Sequence, residues 1–311
     1  MRQRRVYWLL AVVGCVVAVM VQGAWGAGTV SLKNATCETD RVLFLTEPVM
    51  TGRDVEELQA GLQERGFFQG AITGRFDGAT EEAVRRFQEE AGLPVDGRVD
   101  SDTWDALAAS FDRPAVTKSA PPTGELIILV DIPKRELQLY SDGQIYKTYP
   151  ITVGSSKTPS PIGEWKIVHK DKHWGGGFGT RWMGINVPWG IYGIHGTNKP
   201  WHIGDAESAG CFRMLNHDVE ELYDWVPIGT PVIAIGPVDP DFPKRVLRRG
   251  NSGQDVVFLQ LALRNMGFSP GVADARFGPD TEEAVKALQA HYGVAVDGIA
   301  GPDTYYLLEV K

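Results

Sequence analysis

His195–Asn216 reads HGTNKPWHIGDAESAGCFRMLN, a His-Gly pair joined to a Ser-x-Gly-Cys turn with an arginine two residues further on. A free thiol is mostly protonated at neutral pH, and only its thiolate is a good nucleophile. A nucleophilic cysteine therefore needs a base, and that base needs a group to hold its ring. Cys211 is the candidate nucleophile, His195 the candidate base, and the Gly196 backbone carbonyl the candidate orienter. Gly210 lets the backbone approach a substrate, and the N–H groups of Gly210 and Cys211 are candidate oxyanion donors. Arg213 suits bidentate contact with a peptide carboxylate; its alternative role is a structural ion pair. Ser208 either touches substrate or shapes the turn. Thr197 and Asn198 follow the base and are candidates to line the cleft, with Asn198 the candidate substrate contact; Asn216 is expected to brace the loop.

Outward from this stretch the pattern is mostly strand. Leu126–Asp131 (LIILVD) is a buried strand by composition. Glu136–Tyr140 alternates, Ser141-Asp142-Gly143 turns, and Ile145–Val153 alternates again, which is a hairpin signal. Glu164–Val168, Met183–Val187, Ile191–Ile194 and Val232–Ile235 read as further strands, and Asp218–Asp224 as a helix with Val219, Leu222 and Tyr223 on one face. Many short strands separated by turns predict a mainly-β domain, sandwich or barrel-like. The Gly- and Trp-rich segment 173–190 is expected to form a mobile flap, with Trp174, Trp182, Trp189 and Trp201 as candidates to flank substrate.

An internal repeat encloses this region. DVEELQAGLQERGFF (Asp54–Phe68) matches DVVFLQLALRNMGFS (Asp255–Ser269). RFDGATEEAVRRFQ (Arg75–Gln88) matches RFGPDTEEAVKALQ (Arg276–Gln289). VDGRVDSDTWDAL (Val95–Leu107) matches VDGIAGPDTYYLL (Val296–Leu308). The offset is a constant 201 residues. Each copy predicts a small three-helix bundle. Val55, Leu58 and Leu62 form one apolar face, Gly66 is a stop, Thr80 is a candidate N-cap, and Asp102 or Thr103 opens the last helix. A Pro-, Ser- and Thr-rich linker falls at 112–124 and a shorter proline-rich one at 237–247, the second expected to be stiffer. The predicted order is a leader at 1–26, a first bundle at 50–111, a central domain at 125–236 and a second bundle at 248–311.

The string HGTN, then IG, then S-x-G-C-x-R-M resembles the signature of the L,D-transpeptidase catalytic domain, the YkuD-like family. The likeness is dense over His195–Asn216 and looser over 125–236. Ala209 stands where a well-known version of that motif has histidine, which leaves His195 as the one base candidate from the motif. The repeated LQ…GF…G.F…T..AV..FQ…VDG pattern resembles the peptidoglycan-binding domain of wall enzymes. Arg75 beside Phe76, and Arg276 beside Phe277, are candidate glycan contacts.

The resemblance implies that Cys211 attacks the carbonyl of the diamino acid at the third position of a peptidoglycan stem. The terminal D-alanine leaves, and an amine of a second stem resolves the thioester into a cross-link, in the service of wall biogenesis and cell shape. Hydrolysis of the same thioester would make an L,D-carboxypeptidase, and loss of catalysis would leave a wall-binding protein. The chemistry needs no cofactor and no metal. The implied partner is peptidoglycan, as donor and acceptor and through both flanking bundles, with no required protein partner.

Composition agrees with this. The chain has 311 residues, 43% hydrophobic and 23% charged, and a formal net charge of −8, which argues against nucleic-acid binding. Arg2, Arg4 and Arg5, the apolar run Val6–Val21 and Ala24-Trp25-Gly26 read as an export signal; an uncleaved anchor is the alternative, and Val13-Gly14-Cys15 only loosely resembles a lipoprotein box. Removing those three arginines takes the net charge from −8 to −11. Of the three cysteines, Cys15 leaves with the signal. A Cys37–Cys211 disulfide would block the nucleophile, so Cys211 is expected as a thiol, and Cys37 has no assigned role. His169 and His173 lack a third ligand nearby in sequence, and His202, His217 and His291 are expected at surfaces.

Overall fold

The computed structural model describes residues 41–111, 119–172, 176–238 and 245–309. The N-terminal leader, Cys15, Cys37, His173 and Trp174 lie outside the described residues, as do 112–118 and 239–244 of the two linkers.

The first repeat forms α1 (Arg53–Glu64), α2 (Gly78–Ala91) and α3 (Ser101–Phe111). Val55, Leu58 and Leu62 are fully buried and pack with Phe76, Phe87, Trp104 and Leu107. Thr80 is not the N-cap of α2. That role belongs to Asp77, whose carboxylate accepts from the Thr80 N–H at 3.0 Å. The Thr80 hydroxyl instead accepts from buried Gln59 at 2.9 Å. Gln59 also receives the Thr73 and Gly74 N–H groups at 2.9 and 3.0 Å, so one side chain satisfies the turn between α1 and α2. Gln88 does the same for the turn before α3, accepting from Gly97 at 2.9 Å and donating to the Arg98 carbonyl at 2.8 Å.

The central domain holds β1 (Leu126–Asp131), β2 (Glu136–Ser141), β3 (Gln144–Pro150), β4 (Val153–Gly154), β5 (Gly163–Asp171), β6 (Trp182–Ile185), β7 (Tyr192–His195), β8 (Ala206–Ser208), β9 (Phe212–Arg213), α4 (Asn216–Trp225) and β10 (Pro231–Ile235). Eight strands form one mixed sheet in the order β3-β2-β1-β10-β5-β6-β7-β9, while β4 and β8 pair separately. The β1–β10 and β7–β9 pairs are parallel and the other pairs of the large sheet antiparallel. β1 is apolar from Leu126 to Val130, as suits a strand between β2 and β10, and Ile128 and Val130 are completely buried.

The sheet curls on itself. Thr152, two residues past the β3 edge, exchanges two hydrogen bonds with Arg213 of the opposite edge, β9, at 2.9 and 3.0 Å. This domain is barrel-like rather than two stacked sheets. Within the expected flap 173–190, Trp182–Ile185 is not mobile loop but β6, held between β5 and β7.

The second repeat forms α5 (Gln254–Asn265), α6 (Pro279–Tyr292) and α7 (Pro302–Glu309). Gln260 and Gln289 reproduce the turn-bracing bonds of Gln59 and Gln88. Val257, Ala273 and Ala275 of this repeat belong to the same apolar cluster as Trp165, Val232 and Ala234 of the sheet. No helix among the described residues is long and apolar enough to cross a membrane.

Candidate active site

His195 ends β7, and Cys211 immediately precedes β9. The two strands are parallel neighbours, with His195 opposite Arg213. Paired residues of neighbouring strands share a face, so His195 and Arg213 lie on one face of the sheet, and Cys211 stands in the bend just before β9. The Cys211 thiol lies 4.0 Å from the carbonyl oxygen of Ile191, the residue before β7.

The imidazole is held on three sides. Nδ1 lies 2.6 Å from the Gly196 carbonyl oxygen. A carbonyl only accepts, so Nδ1 carries the proton and Nε2 presents its lone pair. The Trp182 ring stacks on the imidazole at 5.5 Å and 26°, and Phe178 meets it edge-on at 5.1 Å. His195 is 0% exposed, and Nε2 makes no hydrogen bond of good geometry. Burial pushes its pKa down to about 4, against the smaller opposing pull of the Gly196 and Phe178 backbones. The ring is therefore neutral at pH 7, in the tautomer a base requires.

Cys211 is 1% exposed and forms no disulfide among the described residues. The turn before it is held by Ser208, whose hydroxyl donates to the Cys211 carbonyl at 2.6 Å and accepts the Gly210 N–H at 3.0 Å. Gly210 has φ +116°, and a Cβ there would lie 2.7 Å from the Tyr192 ring, so the turn demands glycine.

Two readings from sequence change here. The Gly210 N–H is taken by Ser208, which removes it from the oxyanion donors. Ser208 braces the turn: it is 1% exposed, and its O–H and one of its lone pairs are used on the backbone of Cys211 and Gly210.

Three more positions differ from expectation. Asn198 is 0% exposed and does not line an open cleft. Trp182 lies under the imidazole, and Trp201 packs on Trp104 and Phe111 of the first bundle, so neither flanks a substrate path. His202 is not a surface residue but lies mostly buried, 3.3 Å from Glu57 of α1. Trp189 remains accessible at 37%, donating to the Tyr192 hydroxyl at 3.2 Å. Arg213 is 6% exposed, a nearly enclosed cation. Asn216 ties the loop together, accepting from Thr180 and Thr197 at 3.2 and 3.1 Å and donating to the Thr197 carbonyl at 2.9 Å. Arg75 and Arg276 are exposed, and the neighbouring Phe76 and Phe277 are buried.

Comparison with known proteins follows the same division. The L,D-transpeptidase catalytic domain model, YkuD, matches residues 125–233, and a peptidoglycan binding domain model matches 51–107 and 252–308. YkuD of Bacillus licheniformis, named as an L,D-transpeptidase, is 46% identical over 112 residues, which are 36% of this chain and 67% of that protein. YqjB of Bacillus subtilis, also named as an L,D-transpeptidase, is 30% identical over 128 residues, 36% of this chain and 73% of that protein. The chain belongs to the L,D-transpeptidase family. The solved catalytic domain of the E. faecium L,D-transpeptidase is 26% identical, covering 36% of this chain and 98% of that one at a TM-score of 0.33. This L,D-transpeptidase family member thus carries its catalytic domain between two domains of the peptidoglycan-binding type.

Phe178, Tyr192 and Glu57 were not singled out by sequence reasoning. For Glu57 a signal existed: among the differences between the two repeats, Glu56-Glu57 in one stands where the apolar pair Val257-Phe258 stands in the other.

Proposed function

We propose that this protein is an exported, wall-associated L,D-transpeptidase that cross-links peptidoglycan stems through a thioester on Cys211. The observation that carries the reading is His195, a neutral base of defined tautomer, buried on the strand beside the one that begins after Cys211. An ordinary thiol near pKa 8.5 and an imidazole near 4 differ enough that forming thiolate and imidazolium first would cost about 6 kcal/mol, before any attraction within the pair. His195 therefore takes the proton at Nε2 as sulfur attacks the donor carbonyl. The Cys211 N–H is the remaining member of the proposed oxyanion pair, and Arg213 supplies a fixed positive charge on the face it shares with His195.

Collapse of the tetrahedral intermediate expels the terminal D-alanine, with the imidazolium proton going to its amine. An acceptor amine then attacks the thioester, His195 accepts its proton, and the thiol is regenerated. The enclosure of Cys211 and His195 keeps bulk water from the thioester, which favours an amine acceptor over hydrolysis. The leader at 1–26 delivers the chain to the wall, and the two bundles hold it there.

The test is mass spectrometry of the protein incubated with a disaccharide-tetrapeptide, with Cys211→Ala alongside. A thioester adduct on Cys211 that has lost the terminal residue, followed by cross-linked dimer, is the expected result. Free tripeptide in place of dimer would identify a carboxypeptidase. No adduct on wild type would refute the acyl-enzyme.

A further inference from the structure

The two bundles share one fold but dock on the central domain in different ways, and the difference lies in their first helices. In the second bundle the contact combines an apolar patch with hydrogen bonds and one ion pair. Val257 and Phe258 of α5 are buried, and Val257 joins the core of the sheet. Gln254 exchanges two hydrogen bonds with the Ile162 backbone at 3.1 and 2.9 Å, and Arg264 grips Glu164 with two guanidinium nitrogens. This bundle meets β5 and the segment leading into it.

At the equivalent positions, 201 residues earlier, the first bundle has Arg53, Glu56, Glu57 and Ala60 where the second has Gln254, Val257, Phe258 and Leu261. Its contact sets ion pairs beside a group of aromatic rings, and it falls on the site. Glu57 lies 2.7 Å from the Lys199 ammonium and 3.3 Å from the His202 ring. Burial alone would raise its pKa, but His202 and Lys199 outweigh burial and hold the carboxyl down at about 2, so it is ionised at any working pH. Lys199 also lies over the Trp104 ring at 5.3 Å, and Trp201 packs on Trp104 and Phe111 at 6.3 and 5.3 Å. Arg53 forms an ion pair with Glu207, the residue before Ser208.

These contacts reach both limbs of the site. Lys199 donates its N–H to the Thr197 hydroxyl at 3.0 Å, and Thr197 is tied by Asn216 directly after the His195-Gly196 pair. Glu207 adjoins the serine that holds the Cys211 turn. We propose that the first bundle is part of the catalytic machinery, and that Glu57 is a positioning residue which clamps the loop behind His195. Arg53 secures the strand that leads to Cys211. The second bundle, docked away from these loops, has no such role. The proposal rests on the assignment of His195 and Cys211 made above.

The experiment uses the full chain as wild type, Glu57→Gln, Arg53→Ala and Glu164→Gln, the last weakening the second bundle's contact alone. Three readouts are taken: kcat and KM with disaccharide-tetrapeptide, the acid limb of the kcat/KM pH profile, and the rate at which iodoacetamide alkylates Cys211. Melting curves establish that each variant is folded at the assay temperature. Removing the Glu57 charge is expected to lower kcat about tenfold or more with KM within about threefold, since loss of alignment acts on the chemical step. The acid limb should move upward in pH as the imidazole loses its enclosure, and the alkylation rate should change. Arg53→Ala should move the same readouts less, and Glu164→Gln should leave them at wild-type values.

If Glu57→Gln leaves all three unchanged, or if Glu164→Gln shifts them by the same factors, the clamp is refuted and the contact is only structural. Failure of wild type to turn over the tetrapeptide would count against the functional reading alone, because alkylation of Cys211 reports the clamp without turnover.

Discussion

Ser208→Ala is the sharpest test of how the turn before Cys211 is held. The hydroxyl donates to the Cys211 carbonyl at 2.6 Å and accepts the Gly210 N–H at 3.0 Å, and the residue is buried. Alanine leaves two backbone groups unpaired inside the protein. Each unsatisfied group costs about 1–3 kcal/mol, so the pair costs about 2–4 kcal/mol if the turn relaxes in part. The central sheet and the second bundle share one core, so the unit that melts is large, and the conversion is about 2–4 °C per kcal/mol. A fall in Tm of roughly 5–15 °C follows. The turn also sets the direction of the Cys211 side chain, so kcat should fall by about tenfold or more while KM changes little. Circular-dichroism melts and steady-state kinetics on the full chain read both quantities. A Tm within about 1 °C of wild type together with unchanged turnover would show that the hydroxyl does not hold the turn.

Other expectations follow from the same geometry. His195 titrates near 6.5 when unfolded but near 4 when folded, so between those values the unfolded chain binds a proton that the folded one refuses. Stability due to this residue is complete above about pH 6.5 and is lost as pH falls toward 4, by about 3 kcal/mol in all; urea unfolding at several pH values should show that slope, and His195→Gln should flatten it. The depressed Glu57 carboxyl contributes in the separate window below its ordinary value of 4.5, so it does not disguise the effect. In Gly196→Ala the new Cβ would sit 2.2 Å from Asn216 Oδ1, forcing apart the bonds from Asn216 to Thr180 and Thr197. A loss of about 2–4 kcal/mol and of most turnover is expected, measured by melting and kinetics. Gln289→Ala strips partners from the Gly298 N–H and the Ile299 carbonyl of the second bundle; a loss of about 2–4 kcal/mol should appear as a lower denaturation midpoint.

Much of this organisation was legible in the linear chain. The repeat at constant offset announced two copies of one bundle, and Val55, Leu58 and Leu62 at helical spacing identified the buried face of α1. The apolar LIILVD run marked the central strand β1, and the His-Gly…Ser-x-Gly-Cys string marked the site, because those signals lie within a few turns or residues of one another. Thr80, the candidate helix cap, proved to lie three residues past the actual cap, Asp77. Both types can cap, and only the partner of the Thr80 hydroxyl, Gln59 on another helix, decides between them.

What the sequence determined by itself was therefore the set of parts: two like bundles, a mainly-β domain, a candidate nucleophile and its base. The tertiary structure decided the state of those parts. The imidazole is neutral because Trp182 and Phe178 enclose it, and the Gly210 N–H is spent because Ser208 turns back onto it. Glu57 meets Lys199 and His202 across 142 and 145 residues of chain, while its counterpart Phe258 is buried. Propensity and motif chemistry act between near neighbours in sequence and can be read there. Desolvation, ring stacking and ion pairing depend on which surfaces meet, and that is settled only when distant segments of the chain are brought together.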